Sequence, residues 1–588
     1  MHNCEDFFLP IGAMNNNLKS LKENKIEKKS DLENQINTLE LSDQLNLVLT
    51  SPWEKRFDLI TSSVFAPQLV ANMPVEELFW TIKATGVEDS GVLLNMATPE
   101  QLQFIFDLDW WHKDNLRPEK IAAWLLIMYE LAEGATEQWL KWILSKDPWL
   151  FPAMLHQFIT VVKRPDDMDI QEAKDVLPPF TLDNVYYLGF KKQKLAPLFS
   201  RLITHIVGID PGLYRDVLET MLWETPSQNL ETAYRLRCGR LGDLGIPDYY
   251  ESLNIYVPLK KEEMHRIDLE NSPISNLPVS YDMPPFVPTL YISGLPALEE
   301  ATLALVGEPV MERIIREITG VANKILMADL IDLDEPDQLK GALQKAMSLL
   351  NLGIELLSRD LGISPRDVLR THYMEEIVRL SSGLLLPIGA QARQLISSKT
   401  FKTLPHHLKP WLEAASKRPS EVYDEATGHN RFARSLADVD LLKARVDEAK
   451  TWEKVLEFLL PPYDAWPESI AWERTNFLAP EEFSVENALV TAMANLALDL
   501  KFQIEPLNSQ RLEELGNKLD EIGLENLPGF LEDILEPMTR GEENSITRRE
   551  LKETVIPRIV AMLREFMEEE RPHLSEPQFI KNLLVEVS

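Results

Sequence analysis

Apolar positions recur every three to four residues along most of this chain, and proline-bearing polar breaks separate one run from the next. That rhythm places the apolar side chains on one stripe of a helix, as Leu102, Ile105 and Phe106 do in miniature. From Ser51 to about residue 160 the breaks share one grammar. Ser51-Pro-Trp-Glu54 and Thr98-Pro-Glu-Gln101 each read as a capping box with proline at the first helical position, where a missing N–H costs nothing. Met73-Pro74, Arg117-Pro118 and Asp147-Pro148 open further segments. A short helix with a single apolar stripe must bury it against its neighbours. The pattern predicts a solenoid-like helical domain over residues 51–257, with starts too unevenly spaced for a true repeat.

Residues 180–190 break the rhythm, because Asp183-Asn184 stands beside a β-branched and aromatic run, and predict a small β-hairpin. Seven prolines then fall between Pro258 and Pro296, which reads as a Pro-rich linker over residues 258–296. Long helices are expected over Leu298–Ile331 and Asp337–Arg359. In the second of these Leu339, Leu343, Ala346, Leu350, Ile354 and Leu357 form one apolar seam. Stretches near 404–430 and 461–480 read as ordered loops, followed by helices near 485–500, 508–520 and 547–570. The expected fold is all-α. Two helical domains, 51–257 and 297–580, are joined by the linker, and residues 1–48 form a disordered polar leader.

Length agrees with this division, since 588 residues exceed the roughly 250–300 at which single cores stop growing. The net charge of −33 is spread along the chain and repels phosphate backbones and anionic lipid heads, so no nucleic-acid partner is expected. Two cysteines, Cys4 and Cys238, make neither a disulfide framework nor a zinc site. The apolar windows Ile121–Ala132 and Ala488–Leu500 fall short of the ~18 residues that span a bilayer. No membrane insertion is expected, the start of the chain lacks a signal-peptide pattern, and the expected location is cytoplasmic.

No P-loop, G-x-G-x-x-G, H-E-x-x-H or nucleophile elbow occurs, so no catalytic residue, metal ligand or cofactor is assigned. Glu262-x-x-His265 and Glu570-x-x-His573 have di-iron spacing, but one lies beside the linker and the other contains Pro572, and coincidence is the better reading. His406-His407 reads as loop packing and His372 as a hydrogen-bonded core histidine. The most distinctive cluster is Asp107, Asp109, Trp110, Trp111 and Lys113, either a binding surface or a helix end packed by its indoles. Arg235, Arg237 and Arg240 can grip a carboxylate or phosphate, or pair within the acidic chain itself.

Several stretches are familiar as a set: Glu76-Glu-Leu-Phe-Trp-Thr-Ile-Lys83, Thr98-Pro-Glu-Gln-Leu-Gln103 running into Asp107-Leu-Asp-Trp110, and Leu182-Asp-Asn-Val-Tyr-Tyr187. Arg237-Cys-Gly-Arg-Leu-Gly-Asp-Leu-Gly-Ile-Pro-Asp248 with Ile255-Tyr256, and Leu489-Val-Thr-Ala-Met-Ala-Asn-Leu496, complete it. With these the chain resembles a bacterial family designated domain of unknown function 6178, over roughly residues 51–570. That resemblance implies no catalytic residues. Residues 72–111 also look loosely similar to the N-terminal helical domain of MgtE-type magnesium transporters, through Pro-Glu helix starts alone. The functional expectation is a cytoplasmic helical scaffold or regulatory protein that binds a protein partner. The alternatives are an enzyme with a composite site between the halves, and a divalent-cation-responsive regulator.

Overall fold

The structure, a computed structural model, describes residues 36–267, 294–460, 469–498, 501–539, 546–574 and 576–587. Its contacts divide the described chain into two units. The first takes everything up to Asn254 together with Ala322–Leu343, and the second takes the rest. The expected 1–48 leader lies outside the described residues as far as 35, but its end forms a helix with Gln44 and Val48 buried.

In the first unit the serial helices are α1 (Leu41–Thr50), α2 (Trp53–Ser62), α3 (Ala66–Asn72), α4 (Val75–Thr85), α5 (Gly91–Met96), α6 (Pro99–Asp109), α7 (Pro118–Leu131) and α8 (Glu133–Lys146). They stack in two rows. One runs α1, α3, α5, α7 and the other α2, α4, α6, α8, each helix touching the next of its own row. Such stacking is what short helices with one apolar stripe require, because each covers its neighbour's core face. The expected capping box at Thr98 forms, with Gln101 returning the bond. The one at Ser51 does not. There Pro52 is the N-cap, and the Ser51 hydroxyl donates back to Leu47 O at 2.7 Å.

Past α9 (Leu150–Leu155) the row ends. β3 (Ile159–Lys163) pairs antiparallel with β4 (Tyr186–Phe190), and α10 (Ile170–Val176) lies between them in sequence. Within residues 180–190 the expected hairpin is a single antiparallel bridge between Phe180 and Leu188, and β4 pairs over its whole length with the more distant strand Ile159–Lys163. Its register leaves Gly189 opposite Thr160, where a Cβ would sit 2.6 Å from the Thr160 hydroxyl. Helices α11 (Ala196–Ile209), α12 (Pro211–Trp223), α13 (Pro226–Asp243) and α14 (Tyr249–Ser252) complete the run. α13 folds back onto α6 and α9.

The second unit begins with α15 (Pro296–Leu303) and most of α16 (Val310–Ala328), so the single helix expected over Leu298–Ile331 is split. Gly307 at φ +85° lies in the break, a conformation that side-chain-bearing residues avoid. α17 (Pro336–Leu361) carries the expected seam, all six residues of it buried. Beyond α18 (Pro365–Thr371), α19 (Met374–Ser397) crosses α17 so closely that a Cβ at Gly353 would fall 2.6 Å from Ile377 O. The expected loop at 404–430 instead holds α20 (Leu408–Ala415) and a hairpin of β5 (Glu421–Asp424) and β6 (His429–Phe432), turned at Gly428. Of the loop expected at 461–480, residues 461–468 lie outside the described ones, as do 268–293 of the expected linker.

After α21 (Leu436–Lys454) come α22 (Val485–Ala497), α23 (Ser509–Ile522), α24 (Leu527–Leu535), the short α25 (Arg548–Glu550) and α26 (Ile556–Glu565). The last residues are strapped into this group. Asn476 bonds Ile580 O, Leu583 O and Val585 N, and Asn487 bonds Lys581 O and Asn582 O. Leu583, Leu584 and Val585 are fully buried. The fold is all-α apart from three two-stranded sheets, of which the first, β1 (Trp111–His112) with β2 (Asn115–Leu116), is described below. No described helix is long and apolar enough to cross a membrane.

Candidate functional site

Helix α6 is an unusual helix for its polar content, because Gln101, Gln103, Asp107 and Asp109 are all buried along it. Buried polar groups must find partners, and these do. Arg240 of α13 forks onto Asp107, with Nε 2.7 Å from Oδ2 and a terminal nitrogen 2.8 Å from Oδ1. Its other terminal nitrogen reaches Asp147 Oδ2 at 2.8 Å. Gln103 donates to Asp107 Oδ1 at 2.8 Å and accepts from the Trp139 indole at 3.0 Å. Burial opposes the Arg240 charge, yet the bonds and charges of Asp107 and Asp147 outweigh it and hold the guanidinium above its ordinary range. Asp147 moves up, because burial there outweighs Arg240.

A second chain of charges starts from Asp109. Lys83 of α4 lies 2.9 Å from both carboxylate oxygens, and the Trp124 indole donates to Oδ2 at 2.7 Å. Lys83 also pairs with Asp334, which pairs in turn with Lys120. Asp334 resists burial through these two lysines and ends below its ordinary range.

The aromatic part of the cluster is core. Trp110 is fully buried, stacked on Phe106 at 4.4 Å and edge-on to Trp139 at 5.8 Å. Such pairs add about 0.5–1.5 kcal/mol each beyond area burial. Trp110 is thus unavailable to a partner. Trp111, at the start of the β1–β2 ribbon, packs beside Tyr234 and under the Arg237 guanidinium, whose centre lies 5.4 Å from its ring.

Beside this network the first unit opens into a cleft of about 590 Å³. Asp109, Trp111, Lys113, Arg117 and Arg237 line it together with Leu326, Met327 and residues 330–333. Lys113 and Leu330 both line it with left-handed backbone, at φ +57° and +54°. Arg237 is only 3% exposed, and its Nε donates to Asp107 O at 2.6 Å. Burial pushes its pKa down, with Asp107 opposing.

Of the candidates read from the sequence, Asp107, Trp110 and Arg240 meet inside the helix stack, while Asp109, Trp111, Lys113 and Arg237 meet at the cleft. Arg235 joins neither, since it faces outward and pairs with Glu231 one turn earlier. Sequence reading missed Asp147, taken only as a helix start, and Lys83, Lys120 and Asp334, whose spacing carries no signal. Trp124 and Gln103 were legible at most as apolar and polar positions on helices.

The histidines are bound locally. His372 is buried, 3.0 Å from the Thr371 hydroxyl and 3.3 Å from Val368 O, and burial pushes its pKa down. His406 meets Glu482 O and His407 meets Glu448. His265 pairs with Glu376, and Glu570 binds the terminal strap. Among the described residues no group of three or more His, Cys, Asp or Glu side chains is placed to hold a metal ion.

No curated protein and no solved structure matches the chain. The sequence pattern of a family of unknown function (DUF6178) matches residues 33–586, a span that takes in both units, and the chain belongs to that family.

Proposed function

We propose that this chain is a cytoplasmic helical scaffold or regulatory protein, and that the row α1, α3, α5, α7 docks an amphipathic segment of another protein. One observation carries the reading. Leu47 on α1, Phe65 at the start of α3, Val92 on α5, and Leu126 and Leu131 on α7 are all exposed, Val92 at 53% and Leu126 at 41%. Scattered apolar residues on a surface mean little, but a succession along one row of stacked helices is how solenoids present an extended binding face. Asp43, Glu88, Asp89 and Glu130 are exposed on the same elements and the turns between them, so basic residues flanking the apolar anchors would suit the partner.

Crosslinking of the full chain in native cells, followed by mass spectrometry, tests this. The expected result is one stoichiometric protein, crosslinked to residues of α1, α5 and α7, that a Val92→Asp, Leu126→Asp double variant no longer captures. Both positions are exposed, so the variant should keep its fold. Recovery of the same proteins by both chains, or of none, would defeat the reading.

A further inference from the structure

We propose that the cleft of the first unit binds a small organic anion, a carboxylate or phosphate ester on an apolar body, with Arg237 gripping the charged head. This goes beyond the docking face, which uses other residues.

Arg237 is buried to 3% exposure and lines the cleft, yet among the described residues only its Nε is hydrogen-bonded. Its terminal nitrogens, the fork that matches an oxyanion in two parallel bonds, carry no hydrogen bond there. Neither terminal nitrogen is sealed from solvent, so the fork opens on the cleft, where an oxyanion can displace water from it. Lys113 and Arg117 line the same cleft and make no ion pair among the described residues; the Lys113 ammonium sits 4.9 Å from the centre of the Tyr249 ring. In a chain of net charge −33, where acids outnumber bases, three cations that make no ion pair among the described residues at one opening run against the composition.

Of the acids at the cleft, Asp109 is firmly paired, while Glu119 and Asp332 are held more loosely. Asp109 is held by Lys83 and Trp124, Glu119 faces Lys192 at 3.9 Å, and Asp332 accepts from Asp334 N at 3.1 Å. The lining is also partly apolar, with Leu326, Met327, Leu330, Ile331 and Trp111. A volume near 590 Å³ falls within the range of small-molecule sites. Charge and oil in one cleft select an amphipathic anion over inorganic phosphate.

Calorimetric titration of the full-length protein with phenyl phosphate, benzoate and neutral benzyl alcohol tests the assignment. At least one anion should bind saturably in the millimolar range or tighter, and which one does so identifies the head group. Arg237→Lys keeps the charge and loses the fork, and should weaken binding about tenfold or more. Because that site is buried, Lys113→Asn serves as a second variant: asparagine tolerates the left-handed backbone, and the lost charge should also weaken binding. Arg235→Gln, one exposed arginine on the same helix, should leave affinity unchanged. Absence of saturable binding by both anions would overturn the assignment. So would equal affinity for benzyl alcohol, or unchanged affinity in both Arg237→Lys and Lys113→Asn.

Discussion

Asp107 in the first unit and Glu570 in the second are both buried acids, 1% and 4% exposed, and each accepts three hydrogen bonds. Their surroundings differ in one respect. Two of the donors to Asp107 belong to a guanidinium, whereas Glu570 Oε1 receives only amide N–H groups, from the backbones of Lys581 and Asn582 and the Asn582 side chain. Its Oε2 is buried without a hydrogen-bond partner among the described residues. Burial pushes Glu570 up to about 7, with Glu565 adding to the rise and the amides opposing it. The lesson is that satisfying a buried carboxylate's geometry does not fix its charge. A counter-ion does.

The largest effect should come from removing that counter-ion. Arg240→Met leaves Asp107 and Asp147 buried with no cation between them, and should cost about 3–5 kcal/mol in urea unfolding. The deficit should shrink as pH falls and Asp147, already raised by burial, takes up a proton. A deficit independent of pH would mean that lost packing, not charge, is responsible.

Glu570→Gln probes the other side of the comparison. The folded pKa is raised from 4.5, so the native state holds a proton that the unfolded chain has released, and this contribution is lost as pH rises from about 4.5 to 7. Glutamine keeps the acceptor without the charge. The variant should match the parent at pH 4 and exceed it at pH 8 by on the order of 2 kcal/mol. A variant less stable at pH 8 would show that the ionised carboxylate anchors the terminal strap.

How far these two sites could be read in advance differs as well. Several helices of the first unit are legible because proline opens them, as at α4, α6 and α7, and the apolar stripe says which face is inside; α1, α5 and α8 start without proline or a side-chain cap. Asp107, Asp109, Arg237 and Arg240 stood out by composition alone. Their pairings did not, because Asp107 meets Arg240 across more than a hundred residues and Lys83 meets Asp334 across more than two hundred. No local period encodes such a meeting. Glu570 was weighed only as half of a Glu-x-x-His pair, and nothing in its own neighbourhood announces the strap that returns over it. The split at Gly307 and the hairpin at Gly428 were written as single glycines, each requiring a left-handed backbone. At Gly307 the apolar rhythm on either side hides the break, whereas Gly428 sits in a stretch whose proline and tryptophan content reads as loop.

A milder version of the Arg240 test is Asp109→Asn. Asparagine can still accept from Trp124, and Lys83 keeps its pair with Asp334, so one ion pair is lost while neither partner is stranded. The expected loss is about 1 kcal/mol in the same urea assay. A loss as large as that of Arg240→Met would mean that Asp334 cannot hold Lys83 alone.

The smallest effect belongs to Arg235→Gln. This arginine stood beside Arg237 and Arg240 in the sequence reading, but its side chain is 75% exposed and its partner Glu231 is 62% exposed, one helical turn away. Water screens such a pair and the two long side chains lose freedom to form it, so the change should stay within about 0.5 kcal/mol. The urea midpoint and slope should both match the parent. Three arginines within six residues then rank by burial and not by spacing: Arg240 locks two acids, Arg237 waits on the cleft, and Arg235 faces solvent. A loss above about 1 kcal/mol at Arg235 would break that ranking, because an exposed i,i+4 pair has no means of supplying it.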